Sequence, residues 1–306
     1  MIQKIIMNRN TLLMLSIILG LSGSWGTAFL KHWTLYILAL VMVFSSISFD
    51  FALLKKKKFF VKTTLISFFL NYIIFGIILL SLAFLFIEEE DLINGFIVIA
   101  ATPPGVAIIP FTFIFKGDTD SSLMGVLGVY LLAIAVSPFI IKFFTEGVNI
   151  DSFRLVRVTL EVIVIPIILS RLLTFKKVKP LAQKISGKVI NLGFALIVYT
   201  VIGLNREAIF SELGLLVKIS LIFTVTMFFS GIAYEFLFKN STEKKLRISR
   251  NLMLTIKSSG YAAGTALAVF GDRSALPSAF LSVFVLLYLI VMGLFLEDKE
   301  DAPGNQ

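Results

Sequence analysis

Ala101-Thr102-Pro103-Pro104-Gly105 sits in the middle of an otherwise apolar run, residues 93–116, with a further proline at Pro110. Two adjacent prolines remove two backbone donors and crowd the preceding turn, so a helix does not pass through them unbroken. In hydrocarbon the carbonyls they free must find donors in protein or trapped water. The stretch therefore reads as a membrane helix broken at its middle and buried among neighbours.

The rest of the chain fits that reading. Of 306 residues, 58% are apolar and 15% charged, against about 25% charged in soluble domains. A spanning helix takes about 20 residues. Spans are predicted near 11–30, 33–53, 60–87, 93–116, 120–144, 153–174, 184–204, 209–238, 250–270 and 274–296. So much apolar surface excludes a soluble globular domain. The longest polar stretch, around 239–250, leaves no room for a soluble catalytic domain. Cysteine is absent and His32 is the single histidine. Disulfides, thiolate metal sites, paired-histidine zinc and bis-histidine haem are excluded. No P-loop or dinucleotide signature occurs in a strand–helix context. No cofactor, no metal centre and no enzymatic chemistry are expected.

The net charge of +9 would point to nucleic acid on a soluble protein. Here its distribution gives a different answer, and the expected partner is the lipid bilayer rather than nucleic acid. Lys55–Lys58 and Lys62 lie between spans two and three. Arg171, Lys176, Lys177, Lys179, Lys184 and Lys188 lie between six and seven. Lys239, Lys244, Lys245, Arg247 and Arg250 lie between eight and nine. These three connections hold 16 of the 28 basic residues, while Glu88-Glu-Glu-Asp91 fills the connection between three and four. Cytoplasmic loops are rich in Lys and Arg, so both termini and the basic loops are expected in the cytoplasm, in an inner cell membrane. Lipid-headgroup binding is the sharper reading of the same runs. The N-terminal Lys4 and Arg9 before an apolar run resemble a signal peptide, but the run is longer than an h-region and reads as the first span.

The ninth span is also unusual. Lys257-Ser258-Ser259-Gly260-Tyr261-Ala262-Ala263-Gly264 puts a charge, two hydroxyls and two glycines in mid-membrane. Phe115-Lys-Gly-Asp118 and Phe270-Gly-Asp272 follow the two unusual spans about half a chain apart. Interrupted helices at matching positions of two halves point to a carrier's binding site. Five spans per half is odd, so the halves, 1–150 and 151–306, would insert with opposite orientation.

These residues resemble the bile acid:sodium symporter family, within the bile/arsenite/auxin transporter superfamily. Ala101–Ala107 with Phe115–Asp118 resembles its first crossover, C-P-G-G-T-x-S-N then R-G-N or D-G-D. Leu40–Asp50 resembles its second helix, Leu160–Pro166 its sixth, and Thr265–Ala268 the A-x-A-L-A after its second crossover. Ile109-Pro-Phe111 partly matches the related auxin efflux carriers. The resemblance implies an all-α polytopic membrane protein of ten transmembrane helices in two inverted repeats. Helices four and nine would be discontinuous and cross in a core domain, with a panel of helices one, two, six and seven moving against it. It also implies a secondary transporter of a small organic anion, with sodium as the coupling ion.

Several positions depart from the family pattern. Its Ser-Asn pair falls on Ile108 and Ile109. One serine is kept as Ser122, but a threonine one turn on is Val126. The helix-three glutamine falls on Asn71. In the ninth span the glutamate falls on Thr255, the glutamine on Ser259 and the asparagine on Gly260. A central carboxylate is thus lost, and Lys257 appears two residues on. The polar set Asn71, Ser122, Thr255, Ser258 and Ser259, with Pro103, Pro104, Gly105, Lys257 and Gly260 at the crossover, is the expected substrate and ion site.

A charge at mid-membrane costs about 3 kcal/mol or more. Lys257 reads as a tethered cation replacing sodium, or as a group exchanging a proton, in a sodium-independent carrier that is proton-coupled or uniporting. The competing reading starts from its depth of about 10 Å below Arg250 and has it snorkel to the surface. A membrane regulator or sensor on the same fold is the alternative function. Glu161 is expected to pair with Arg157, Lys218 to snorkel, Asp50 to be a solvated end charge, and His32 to lie in a short outer loop beside Trp33.

Overall fold

The computed structural model describes residues 9–47, 57–105, 107–145, 157–158, 160–175 and 177–297. Lys4, Asp50, Lys55, Lys56, Lys176 and the boundary between the two expected halves lie outside them. The described residues are helical, and their only β-type pairing is an isolated antiparallel bridge between Pro104 and Lys257.

Helices α1 (Arg9–Ser22) and α2 (Thr27–Ser46) come first. Helix α3 (Lys57–Phe86) holds a π-helical stretch at Phe69–Ile74. Helices α4 (Glu90–Ala101) and α5 (Ile108–Ile114) are separated by the prolines. Helix α6 (Thr119–Phe144) follows. A π turn at Leu160–Val164 leads into α7 (Ile165–Leu172). Then come α8 (Lys179–Leu204), the short α9 (Arg206–Ser211) and α10 (Leu213–Phe238), which has its own π stretch at Thr224–Phe229. Helices α11 (Lys244–Thr255), α12 (Ser259–Val269) and α13 (Asp272–Glu297) complete the fold.

Six of these helices are long and apolar enough to cross a membrane: α2, α3, α6, α8, α10 and α13. A 26-residue helix such as α6 spans about 39 Å, more than a hydrocarbon core of about 30 Å. Large apolar side chains point outward along them, among them Phe236 of α10 and Leu85 of α3. In water that surface would drive aggregation; in lipid it is solvated.

The helices form two groups. Helix α8 lies against α1 and α2, and α7 against α2. In the other group α6 packs on α3 and α4, while α13 packs on α4 and α12. Where the groups meet, a Cβ on Gly260 would run into the Phe194 ring, and one on Gly264 would come 2.7 Å from Leu38. Small residues here let α12 approach α8 and α2 closely.

Local chemistry sets the ends. Asp118 caps α6, accepting from the Ser121 backbone at 3.0 Å and its hydroxyl at 2.8 Å. Glu90 and Asp91 sit in the first turn of α4, where the helix dipole favours negative charge. At one end of the bundle Arg273 bonds Glu89 and Glu212, each at 2.6 Å, and Lys31 meets Asp272 at 2.6 Å.

The first turn falls earlier than the charges Lys31 and His32 indicate. It lies at Gly23–Gly26, where Gly26 adopts φ 72°, a left-handed conformation that glycine takes at no steric cost. His32 is therefore within α2, not in a loop, and its Nδ1 lies 2.9 Å from the Ala28 carbonyl. A charged residue does not end a helix; a backbone that must turn does.

Candidate functional site: a lysine in the crossover

The site begins with missing donors. In a continuous helix the amides of residues 103 and 104 would serve the carbonyls of Ile99 and Ala100. Pro103 and Pro104 have no N–H to give. The Thr102 backbone and hydroxyl instead serve Ile99, at 3.2 and 2.8 Å. The Gly105 amide goes to Ile256 at 3.0 Å, and the Ser137 hydroxyl takes its place on the Ala101 carbonyl at 2.6 Å. Ala100 and Thr102 are served by the Lys257 ammonium, at 3.0 and 2.7 Å.

Lys257 lies on the extended link between α11 and α12, which crosses the link between α4 and α5 antiparallel. The Ser258 amide donates to the Pro103 carbonyl at 3.2 Å, closing the bridge from the other side. Gly105 suits this close approach: a Cβ would sit a tight 3.1 Å from the Lys257 carbonyl oxygen and 3.2 Å from Ile256.

The third ammonium partner is Asn71, whose Oδ1 accepts at 2.9 Å. An ammonium only donates, so the amide must turn its oxygen to Lys257. Its nitrogen then faces the Met253 carbonyl near the end of α11, donating at 3.3 Å. Asn71 belongs to the π stretch of α3, a local widening often found at functional positions. The rings of Tyr72 and Phe75 lie 4.6 and 5.3 Å from the ammonium, close enough for cation–π attraction. Lys257 is 1% exposed. Three oxygen acceptors, two aromatic faces and the negative end of the α4 dipole offset the removal of its charge from water.

That burial overturns the snorkelling reading. The depth estimate assumed a continuous helix whose lysine could climb back to the surface. The residue instead sits on an extended link, and its side chain runs across to α4.

The other expected residues divide. Asn71, Pro103, Pro104, Gly105, Lys257 and Ser258 meet at the crossing. Thr255 is buried one turn away, with its hydroxyl turned back to the Asn251 carbonyl at 2.9 Å. Ser259 starts α12, its amide on the Lys257 carbonyl at 3.0 Å. Gly260 faces Phe194. Ser122 is separate: it shares a 2.8 Å bond with Thr112, which also bonds the Ile108 carbonyl at 2.7 Å. The Ser122 hydroxyl thus has an internal partner, and it lines a small cavity together with Thr63, Ser67, Ser121 and Ser249.

Sequence reasoning missed Thr102, Tyr72, Phe75, Ser137 and Thr112. Thr102 was in view beside the prolines; the others lie far along the chain, and no local pattern marks them. Glu161 meets Arg157 at 2.8 Å and Lys218 is exposed, as expected.

Comparison with known proteins bears on what such a crossing does. A family model described as the sodium bile acid symporter family matches residues 35–212. A Bacillus subtilis (strain 168) protein described as "Uncharacterized sodium-dependent transporter YocS" is 29% identical over 221 residues, covering 70% of this chain and 67% of that one.

Proposed function

Because the chain belongs to the sodium bile acid symporter family, we propose that it is a secondary carrier of an organic anion whose crossover holds its own cation, Lys257, in place of sodium. It is a multi-pass membrane protein, and membership of a transporter family implies transport rather than catalysis.

The observation that carries the reading is the set of three bonds from Lys257 to Asn71, Ala100 and Thr102. A hard cation in a broken-helix carrier takes oxygens of this kind: an amide and the carbonyls at a half-helix C-terminus. Here a covalently attached ammonium occupies them. The relative's description as sodium-dependent belongs to a chain 29% identical; the residues in hand favour coupling without sodium.

The architecture we infer has ten spans in two inverted repeats of five, with both ends in the cytoplasm by the charge of the loops. Its support is that α3 and α10 carry π stretches, and the helices after them break, in the same order in each half. The group containing α1, α2, α7 and α8 acts as the panel; the group around the crossing acts as the core. Alternating access is rocking between them. The half-helix N-terminus of α12, at Ser258 and Ser259, favours an anion, and Phe194 of the panel faces it across Gly260. With Lys257 fixed as a cation the carrier is a uniporter; if Lys257 releases its proton in the cycle, it is proton-coupled.

Uptake of radiolabelled taurocholate and of small monocarboxylates into proteoliposomes tests this. We expect saturable flux for at least one of them, equal in sodium and potassium. Flux that needs inward sodium would overturn sodium independence. Absence of saturable flux across the panel would favour a sensor on the same fold.

A further inference from the structure

The cavity beside Ser122 lies between α3, α6 and α11 and occupies about 100 Å³. Drug-sized pockets start at about 300 Å³, so this one suits a small ion. Helical spacing builds its walls. Lys62, Thr63 and Ser67 share a face of α3, and Ser249, Arg250 and Met253 a face of α11, because residues three and four apart lie one above the other. Ser121 and Ser122, in the first turn of α6, close the third side.

Three of its five hydroxyls are engaged. Ser122 bonds Thr112, Ser121 donates to the Asp118 carboxylate at 2.8 Å, and Ser249 lies 2.9 and 3.1 Å from the Asp118 and Lys245 carbonyls. The Thr63 and Ser67 hydroxyls have no hydrogen-bond partner among the described residues. Ser67 is 4% exposed, and a buried hydroxyl left without a partner is costly. Gly125 makes the room around it: a Cβ there would run into the Ser67 hydroxyl and come 2.8 Å from Met253.

Two cations line the cavity, Lys62 and Arg250, and no carboxylate does. Neither cation is in an ion pair among the described residues. Arg250 meets the Tyr234 hydroxyl. That neutral group takes one of the guanidinium's five donors and leaves its charge. Asp118, beyond Ser121, turns its two oxygens to the Ser121 amide and hydroxyl. Two positive charges therefore face one capping carboxylate, and every unspent group can donate a hydrogen bond.

We propose that this cavity binds a phosphate-like oxyanion, held by the Lys62 ammonium, the Arg250 guanidinium and the Thr63 and Ser67 hydroxyls. Charged donors of this kind make the short, strong bonds that oxyanions accept. A sodium ion in the same space would meet two positive side chains. The site shares two helices with the crossing, since Met253 in its wall accepts the Asn71 amide through its carbonyl. A bound anion ties α3, α6 and α11 together beside Lys257.

The test is thermal denaturation of the purified protein in a neutral detergent, titrated with potassium phosphate against potassium chloride at equal ionic strength. Phosphate is expected to raise the midpoint saturably. Its exclusion from protein surfaces also raises stability, but without saturation and equally in every variant. Ser67→Ala breaks no internal bond, so it should keep the midpoint measured without phosphate. It should weaken the apparent affinity for phosphate roughly tenfold, as loss of one hydrogen bond to a charged group does. Lys62→Gln should weaken it at least as much, and Lys62→Arg should restore it. Lys57→Gln/Lys58→Gln, which removes more charge outside the cavity, should leave it within about twofold. Dioleoylphosphatidic acid carries the same phosphoryl group on a lipid and separates a headgroup site from a site for the free ion. An unsaturable rise, an equal response in Ser67→Ala and the parent, an equal loss in Lys62→Gln and the double variant, or a response to phosphatidic acid with none to phosphate would each overturn the proposal.

Discussion

The Lys257 ammonium lies 2.9 Å from the Asn71 amide oxygen, joining residues 186 positions apart. Among the described residues Asn71 is the one side chain that supplies an oxygen to that ammonium; the other two acceptors are backbone carbonyls. Because the same amide donates to Met253, it ties the ends of both broken helices to α3.

Removing that amide should be costly. Asn71→Ala leaves the ammonium one acceptor short and the Met253 carbonyl without its donor. Hydrogen bonds to charged groups contribute about 1.5–3 kcal/mol, so a loss of about 2–3 kcal/mol is expected. Asn71→Gln, which keeps both polar atoms on a longer stem, should lose less. Urea or thermal denaturation in detergent compares them; equal loss in both variants would mean that packing, not the amide, is the cause.

Lys31 and Asp272 pair at 2.6 Å, between α2 in one helix group and α13 in the other. Both side chains are more than a third exposed (38% and 37%), so the pair contributes at most about 1 kcal/mol to stability. Its expected effect is on the equilibrium between the two groups. Lys31→Ala should shift it several-fold toward opening at this end, and the charge swap Lys31→Asp/Asp272→Lys should reverse the shift. The chain has no cysteine, so the labelling rate of one cysteine introduced at Thr27 reads opening without background. An unchanged rate in Lys31→Ala would refute this role.

Gly260 should tolerate little. A valine there must displace Phe194, and overpacking costs about 1–3 kcal/mol. The strain falls between the groups, so Gly260→Val is expected to favour the separated arrangement. Phe194→Ala should relieve it in the double variant. Simple additivity of the two single effects would argue that they do not meet.

Ser122→Ala should cost about 1 kcal/mol, as one neutral hydrogen bond does, because the Thr112 hydroxyl retains its bond to the Ile108 carbonyl. It should leave any response to sodium unchanged. A sodium response present in the parent and lost in Ser122→Ala would show that this position does hold a cation.

How much of this is legible in the sequence depends on the distance over which each feature is decided. The break at Pro103 and Pro104 is local, since a missing N–H is missing in any fold. The alternation of basic and acidic loops is a matter of composition and is read directly from the sequence. The break at Ile256–Ser258 is marked by composition. What the ammonium of Lys257 touches is not legible: Ala100 and Thr102 offer backbone carbonyls, which every residue has, and only the crossing selects them. Ser137 is equally anonymous, since a serine in a membrane helix usually bonds its own helix. The first turn was misplaced because Lys31 and His32 looked like a boundary, while Gly26 carried the conformational requirement.

The most direct measurement is the melting temperature of the purified protein against sodium concentration, with potassium holding ionic strength constant, for the parent and for Lys257→Ala. A ligand of the folded state raises stability by mass action, about 1.4 kcal/mol at ten times its Kd. The account predicts a flat response in the parent. It predicts a less stable Lys257→Ala protein that sodium partly restores by filling the vacated oxygens of Asn71, Ala100 and Thr102. A sodium-specific rise in the parent would contradict it, because the cation would then have a place of its own beside Lys257.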